Sequence, residues 1–510
     1  MRRGFLWIVV GLLIISLSAC AGKPASSPKV LTIAHNVDPE TLNPMMTTMA
    51  GAESVILAAV EKLAVFEAKT MDVKPWLLES WEYIDPKTIK LTLKKNVKFS
   101  NGEPLNAEAV KFSIQAWMEQ PVMAQASQPL KGSTFEILND TTLVIKTPDI
   151  VPTFLTILGR YGYVVPPKYY SEVGADGFAK APIGSGPYIL AKHEPGNQVS
   201  FDKNPNYWRG AVPFDKVIFR IIPEELSRAS AVQVGEADIA YYLSFTTAKR
   251  LEKAEGVTVH SIPSLRKFLV MYNAEMRGGE PLLDKRVRVA LNHAVDVDSI
   301  IKQVYEGQAV ALSGQYALPA ELGFNPDLKR FPYDPAKAKQ ILSEAGYPKG
   351  FTLIFAYPTG RYPKDKEIGE ILSSYFEAVG VKVVQRPLEW GQFNKERKDQ
   401  TLGHMFLVGL LFNPDLEDTM SYMAYGKEAR GAPMITWPKE WWDLYNKTRT
   451  ETDRNKRASI YREMLKMDYD SPYGVYLFAP NDFHATGGKI SGFMPREDQF
   501  LFLYDVAPKK

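Results

Sequence analysis

The chain has 510 residues, 61 Lys and Arg against 58 Asp and Glu, and one cysteine. So even a charge balance gives no electrostatic case for binding nucleic acid or an anionic surface. One cysteine excludes an internal disulfide framework, and the length allows two or more domains with large cores.

Residues 1–19 have the layout of a secretory signal: Arg2 and Arg3, then the apolar run Phe5 to Leu17, then Ser18 and Ala19. The run falls short of the roughly 20 residues that span a bilayer. Leu17-Ser18-Ala19-Cys20 resembles the bacterial lipobox, which implies lipidation of Cys20 and an anchor in the membrane. Residues 20–29, "CAGKPASSPK", read as a flexible tether.

Beyond the tether, "KVLTIAHNV" reads as a strand and Ala50–Val65 has helical spacing. "TIKLTLKKNVKFS" alternates as a strand or hairpin. Asn106 caps a helix whose Val110, Ile114 and Trp117 share one face. Shorter strands follow at Thr142–Lys146, Tyr188–Lys192, Gln198–Phe201 and Lys216–Pro223. Past Phe268 strands and helices alternate: "KFLVMYNA", "DKRVRVALNHAVDVDSIIKQVY", "YDPAKAKQILSEAGY", "FTLIFAY", "DKEIGEILSSYFEAVG" and "VKVVQRPLEW". That order indicates an α/β domain with a mostly parallel sheet. "YGVYLFAP" and "FLFLYDVAP" read as closing strands. Gly184 and Gly186 in "PIGSGPYIL" suit a sharp corner before the next strand.

Seven stretches in a fixed order resemble the family 5 extracellular solute-binding proteins. They are "DPETLNP", "LKKNVKFSNGEPLNAEAVKFSI", "PIGSGPYIL", "NPNYWRG", "VGEADIA", "DKRVRVALNHAVD" and "YDPAKAKQILSEAGYPKGF", spread across the body from about Val30 to about Val506. The resemblance implies a periplasmic-binding-protein-like α/β fold of class II type, with two lobes, a hinge, and an extra α/β subdomain inserted in the N-terminal lobe. The implied boundaries are 30–64, 182–267 and 485–510 for the N-terminal lobe, 65–181 for the insertion and 268–484 for the second lobe. Strands near Arg266–Asn273 and Pro480–His484 would form the hinge.

The implied role is capture of a small solute by closure, most readily a short peptide, and delivery to ABC permease and ATPase subunits by a lipid-anchored monomer. An opine, a sugar or chelated nickel are the other ligands to weigh. The resemblance also implies a carboxylate that pairs with a peptide's α-amino group. Asp415 fits that role, with Glu417 and Asp418 as rivals because "LLFNPDLEDTM" departs from the family's pattern. Arg361, in a loop at the carboxyl end of a strand, suits a ligand carboxylate. Trp390 and Tyr357 are candidate cleft walls; Asn36, Glu53 and Tyr272 are weaker ones.

No Walker A, G-x-S-x-G or H-E-x-x-H motif occurs. The reading is therefore a binding protein without catalysis or cofactor. The histidines, of which His35 and His404 lie near the expected cleft edges, form no metal-binding spacing. A peptidase built from a spatial constellation and a ligand-presenting sensor are the rival functions.

Overall fold

The computed structural model describes residues 28–68, 70–411, 415–424 and 437–509. Cys20, its signal sequence, nearly all of the tether, and Pro414 beside Asp415 lie outside them. Among the described residues, no helix is long and apolar enough to cross a membrane.

A continuous apolar strand needs cover on both faces. "KFLVMY" forms the strand Lys267–Tyr272, and its side chains alternate between two cores. Phe268, Val270 and Tyr272 enter one, with Leu353, Phe355, Leu372 and Phe376. Leu269 and Met271 enter the other, with Tyr461, Leu465 and Trp441. The neighbouring strand Met405–Leu410 divides its residues in the same way. The second lobe is thus helix, sheet, helix, with the sheet in the middle.

That sheet is mixed rather than mostly parallel. Phe351–Thr359 runs parallel to Val381–Glu389 and to Met405–Leu410. Lys267–Tyr272 is antiparallel both to Met405–Leu410 and to the long strand Gly474–Gly487. Val30–His35 pairs in parallel with Lys216–Ile221 and Ile239–Leu243.

The strand Gly474–Gly487 links the two lobes. Its first part, Gly474 to Phe478, pairs with Lys267–Tyr272, and its last part, Phe483 to Gly487, pairs with Ile239–Leu243 and Val257–Pro263. The chain crosses from lobe to lobe between those halves. A separate four-stranded antiparallel sheet is formed by Leu78–Asp85, Thr88–Leu93, Thr142–Lys146 and Thr134–Asn139. Its Leu91 and Leu143 share one continuous core with Leu31 and Ile33 of the N-terminal lobe.

The helical spacing of 50–65 is only partly realised. The helix ends at Ile56, because the following carbonyls are used elsewhere. Ala58 and Ala59 accept from the backbone N–H groups of Tyr188 and Gly186. The same contact explains "GSG" differently from a corner: a Cβ on Gly184 would lie 2.2 Å from the Ala59 carbonyl oxygen, and on Gly186 2.6 Å. Those glycines serve close approach. The long helix expected after Asp284 is two, Lys285–His293 and Val297–Val304, because Asp296 caps the second through the Ser299 N–H. "FLFLYDVAP" forms a strand only at Ala507–Pro508; Phe500, Leu501 and Leu503 are buried without a ladder.

Where the lobes meet, Tyr241 lies between two imidazoles. His35 stacks on it at 4.9 Å and His484 packs at 4.8 Å. Burial lowers the His35 pKa to about 4 and that of His484 to about 3. Both rings protonate more readily in the unfolded chain, near the ordinary value of 6.5. Their contribution to stability is therefore complete above that pH and is lost as the pH falls toward 4. Imidazole NMR signals of His35 and His484 are expected to stay those of neutral rings from pH 8 to 5. A titration midpoint near 6.5 would contradict the burial account.

Candidate functional site

The interlobe cleft has a volume of about 300 Å³. It is built from loops and helix starts on the second lobe, facing a helix and two loops of the other side. The loop after the strand Phe351–Thr359 carries Arg361. It is shaped by one carboxylate: Asp365 accepts from the N–H groups of Gly360, Arg361 and Tyr362 at 3.1, 2.8 and 2.9 Å. This multiple turn of N–H groups fixes where the Arg361 side chain leaves the backbone.

Trp390 opens the helix Trp390–Lys398, which Glu389 caps through the Gly391 N–H. The Arg361 guanidinium lies 5.0 Å from the Trp390 ring and 5.3 Å from Tyr362, within cation–π range. One heptad after Trp390, on the same helix face, Arg397 reaches the cleft and donates to Asn394 Oδ1 at 3.0 Å. Arg266, just before the central strand, donates to Gln499 Oε1 at 2.7 Å and lies 5.6 Å from the Tyr362 ring. Arg266, Arg361 and Arg397 each keep a buried Nε–H without an acceptor. Those Nε–H groups are turned into the protein; what the cleft itself presents is three guanidinium cations, which favour an anionic occupant.

The negative side is smaller. Asp418 and Tyr422, four residues apart on the helix Leu416–Ala424, line the cleft together. Asp498 also lines it, but Arg496 holds its carboxylate at 2.9 and 2.6 Å. From the opposite side come Thr48, Phe66, Arg160 and Phe500. Arg160 is tied to Glu53 at 2.5 Å and to the Thr48 carbonyl at 3.1 Å.

Arg361 and Trp390 are where the sequence predicts them, on the cleft. The others are not. Asp415 lies outside the cleft, in a neighbouring cavity; its carboxylate accepts from Arg457 at 2.8 Å and from the Tyr461 hydroxyl at 2.9 Å. A carboxylate so engaged is already neutralised. Glu417 lies beside it and outside the cleft, and burial raises its pKa to about 7.

Tyr357 is core: its ring packs on Gly369 and Phe355, and its hydroxyl donates to Gln385. Tyr272 is fully buried because its strand is covered on both faces. Glu53 is buried with Lys62, Arg160 and Tyr163, and acts on the cleft only by holding Arg160. Asn36 does not line the cleft; its Oδ1 is buried without a donor. His35 is core, and His404 braces backbone: its Nδ1 accepts from the Ile354 N–H at 3.0 Å and its Nε2 lies 2.9 Å from the Arg277 carbonyl. Among the described residues no group of three or more His, Cys, Asp or Glu is placed to hold a metal ion.

Sequence reasoning does not single out Arg266, Arg397 and Arg160 as cleft residues. The seven-residue spacing from Trp390 is a usable signal for Arg397. Arg160 carries none, because its position depends on Glu53, 107 residues earlier.

The model of the bacterial extracellular solute-binding proteins, family 5, matches residues 72–432. The chain belongs to that family. It is 26% identical over 530 residues to a dipeptide-binding protein of Escherichia coli, covering 95% of this chain and 96% of that protein. It is 27% identical over 478 residues to heme-binding protein A of Haemophilus influenzae, covering 87% and 85%. Among solved structures, a dipeptide-binding protein from Pseudoalteromonas in complex with Met-Leu superposes with a TM-score of 0.82 at 22% identity, covering 94% of this chain and all of the other. The fold is therefore the two-lobe fold of the family 5 binding proteins, and the chain is an extracellular solute-binding protein.

Proposed function

We propose that this family 5 member binds a short peptide in the interlobe cleft and hands it to an ABC permease, with Cys20 as its lipid anchor. The observation that carries the reading is the cleft's charge arrangement. Three arginines, Arg266, Arg361 and Arg397, line the cleft beside Tyr362 and Trp390, and Asp418 lines the same cavity. A zwitterion with an anionic end matches both. Its carboxylate goes to Arg361, stiffened by Trp390, and its ammonium goes to Asp418, in charge-assisted bonds. The E. coli relative's name as a dipeptide-binding protein agrees with this.

Closure follows from tighter binding when both lobes contact the ligand, with the Gly474–Gly487 strand as one of the bending links. An opine is the second reading, favoured by the surplus of arginines over carboxylates: such conjugates carry extra carboxylates on an amino-acid nitrogen.

The deciding experiment is to denature the purified protein gently and analyse released small molecules by mass spectrometry. A series of short peptides supports the peptide reading, and a single opine replaces it. In calorimetry, Arg361→Ala is expected to weaken an unblocked dipeptide by about tenfold or more, from loss of a charge-assisted pair. The dipeptide amide, which lacks the carboxylate, should bind wild type and variant alike.

A further inference from the structure

Next to the cleft lies a second and larger chamber of about 680 Å³. It lies between the four-stranded sheet of the insertion and the second lobe. Trp81 and Tyr83 of the strand Leu78–Asp85 form one wall, with Leu155 and Thr156. Leu322, Asp415, Arg454 and Arg457 form the facing wall.

The two chambers run along the same pair of elements. On the helix Phe154–Tyr161, Leu155 and Thr156 line the second chamber while Arg160 and Tyr161 line the cleft. On the opposite side, Asp415 lines the second chamber while Asp418 and Tyr422 line the cleft. The Phe66 side chain belongs to both walls. Its ring lies against Gly159, where an added Cβ would be only 3.4 Å away, midway along that helix. Its carbonyl accepts from Arg496 at 2.7 Å, which pins the backbone, and Phe66 is only 4% exposed between the two chambers.

The chambers differ in chemistry. The cleft presents arginine cations. In the second chamber the ions are mostly paired with each other: Arg457 with Asp415 at 2.8 Å and Arg454 with Asp72 at 3.1 Å. Lys74 and Asp85 also line it, and the rest is mainly apolar and aromatic surface from Phe66, Met71, Val73, Trp81, Leu155 and Leu322.

We propose that cleft and second chamber form one elongated site, divided by the Phe66 ring, that takes a peptide longer than two residues whose distal part is apolar. This rests on the peptide reading of the cleft and extends it. The charged head stays among Arg361, Arg397 and Asp418. The apolar end passes Phe66 and is covered by Trp81 and Leu155 on one side and Leu322 on the other. Because the chamber's walls come from both sides of the interlobe gap, a ligand that fills it also favours closure.

Two probes test this by calorimetry: the dipeptide alanyl-alanine and the tetrapeptide alanyl-alanyl-phenylalanyl-leucine. The tetrapeptide is expected to bind at least tenfold more tightly, and Leu155→Trp, which fills the chamber, should remove that advantage. Hydrogen–deuterium exchange on the unaltered protein gives an independent readout. The strand Leu78–Asp85 should gain protection with the tetrapeptide beyond that seen with the dipeptide. Equal affinities with equal protection, or an advantage that survives in a folded Leu155→Trp variant, would overturn the extension and leave the dipeptide reading standing. Failure of both probes to bind would overturn the peptide reading and this inference with it.

Discussion

Asp418→Asn is expected to weaken binding of an unblocked dipeptide by about 100-fold, and to leave binding of its N-acetyl form unchanged. The reason lies in which member of "DLED" lines the cleft. Asp415 lies outside it and accepts from Arg457, Tyr461 and the Glu417 N–H, at 2.8, 2.9 and 3.1 Å. Glu417 is turned toward the Tyr445 hydroxyl at 3.4 Å, and burial raises its pKa to about 7. Asp418 is the member of this trio that lines the cleft, one helical turn before Tyr422. An ammonium shielded from water by closed lobes and deprived of its counter-charge loses several kcal/mol, whereas an acetylated amine makes no such demand. Calorimetry with the two peptides on wild type, Asp418→Asn and Glu417→Gln measures this. A dipeptide affinity that is equal in wild type and Asp418→Asn would remove Asp418 from the site, and a loss confined to Glu417→Gln would move the role there.

Glu53→Ala is expected to cost about 3–5 kcal/mol of stability, a large part of what a folded chain has to lose. Glu53 is 1% exposed and receives Lys62 at 3.5 Å, Arg160 at 2.5 Å and the Tyr163 hydroxyl at 2.8 Å. Lys62 is itself 2% exposed, and burial already holds its pKa down to about 8, against the upward pull of Glu53. Without the carboxylate, two cations share a dry site. The pH dependence follows from the sign of the shift. Lys62 releases its proton more easily folded than unfolded, so raising the pH through the folded value favours the folded state. The deficit of Glu53→Ala measured by urea unfolding should therefore shrink between pH 7 and 9. A loss below about 1 kcal/mol, or one independent of pH, would show that the pair is solvated in solution. The variant should also bind ligand more weakly, because Arg160 is held at the cleft by Glu53.

Local signals are legible in the amino-acid sequence. Asn106 caps its helix through the Ala109 N–H at 3.0 Å, and Asp334 and Gly346 bracket the helix Pro335–Glu344 with a cap and a positive φ of 98°. These depend on neighbours within a few residues, and so does the placement of Arg361, whose loop is fixed by Asp365 four positions on. Trp390 is legible for the same reason, as a strand-to-helix junction beside that loop. The choice between Asp415 and Asp418 is not legible, because it depends on Arg457 and Tyr461, 42 and 46 residues after Asp415. Tyr357 and Tyr272 carry the right chemistry for a cleft wall, but burial is a property of the packed layers and no spacing in the chain announces it.

Family membership, the two-lobe α/β architecture, most helices and strands with their caps, and the Arg361–Trp390 corner of the cleft all follow from the order of residues. Each is written in periodicity, turn chemistry or an ordered set of motifs. Four other features emerge only from the folded chain. Asp418 rather than Asp415 lines the cleft, and Arg266 and Arg397 join Arg361 at one cavity. Phe66 stands between two chambers, and "GSG" admits the Ala59 carbonyl. One cause is common to all four. Hydrogen bonds, ion pairs and close backbone approaches between residues far apart in the chain depend on distances of a few ångströms, and those distances exist only once the lobes have packed.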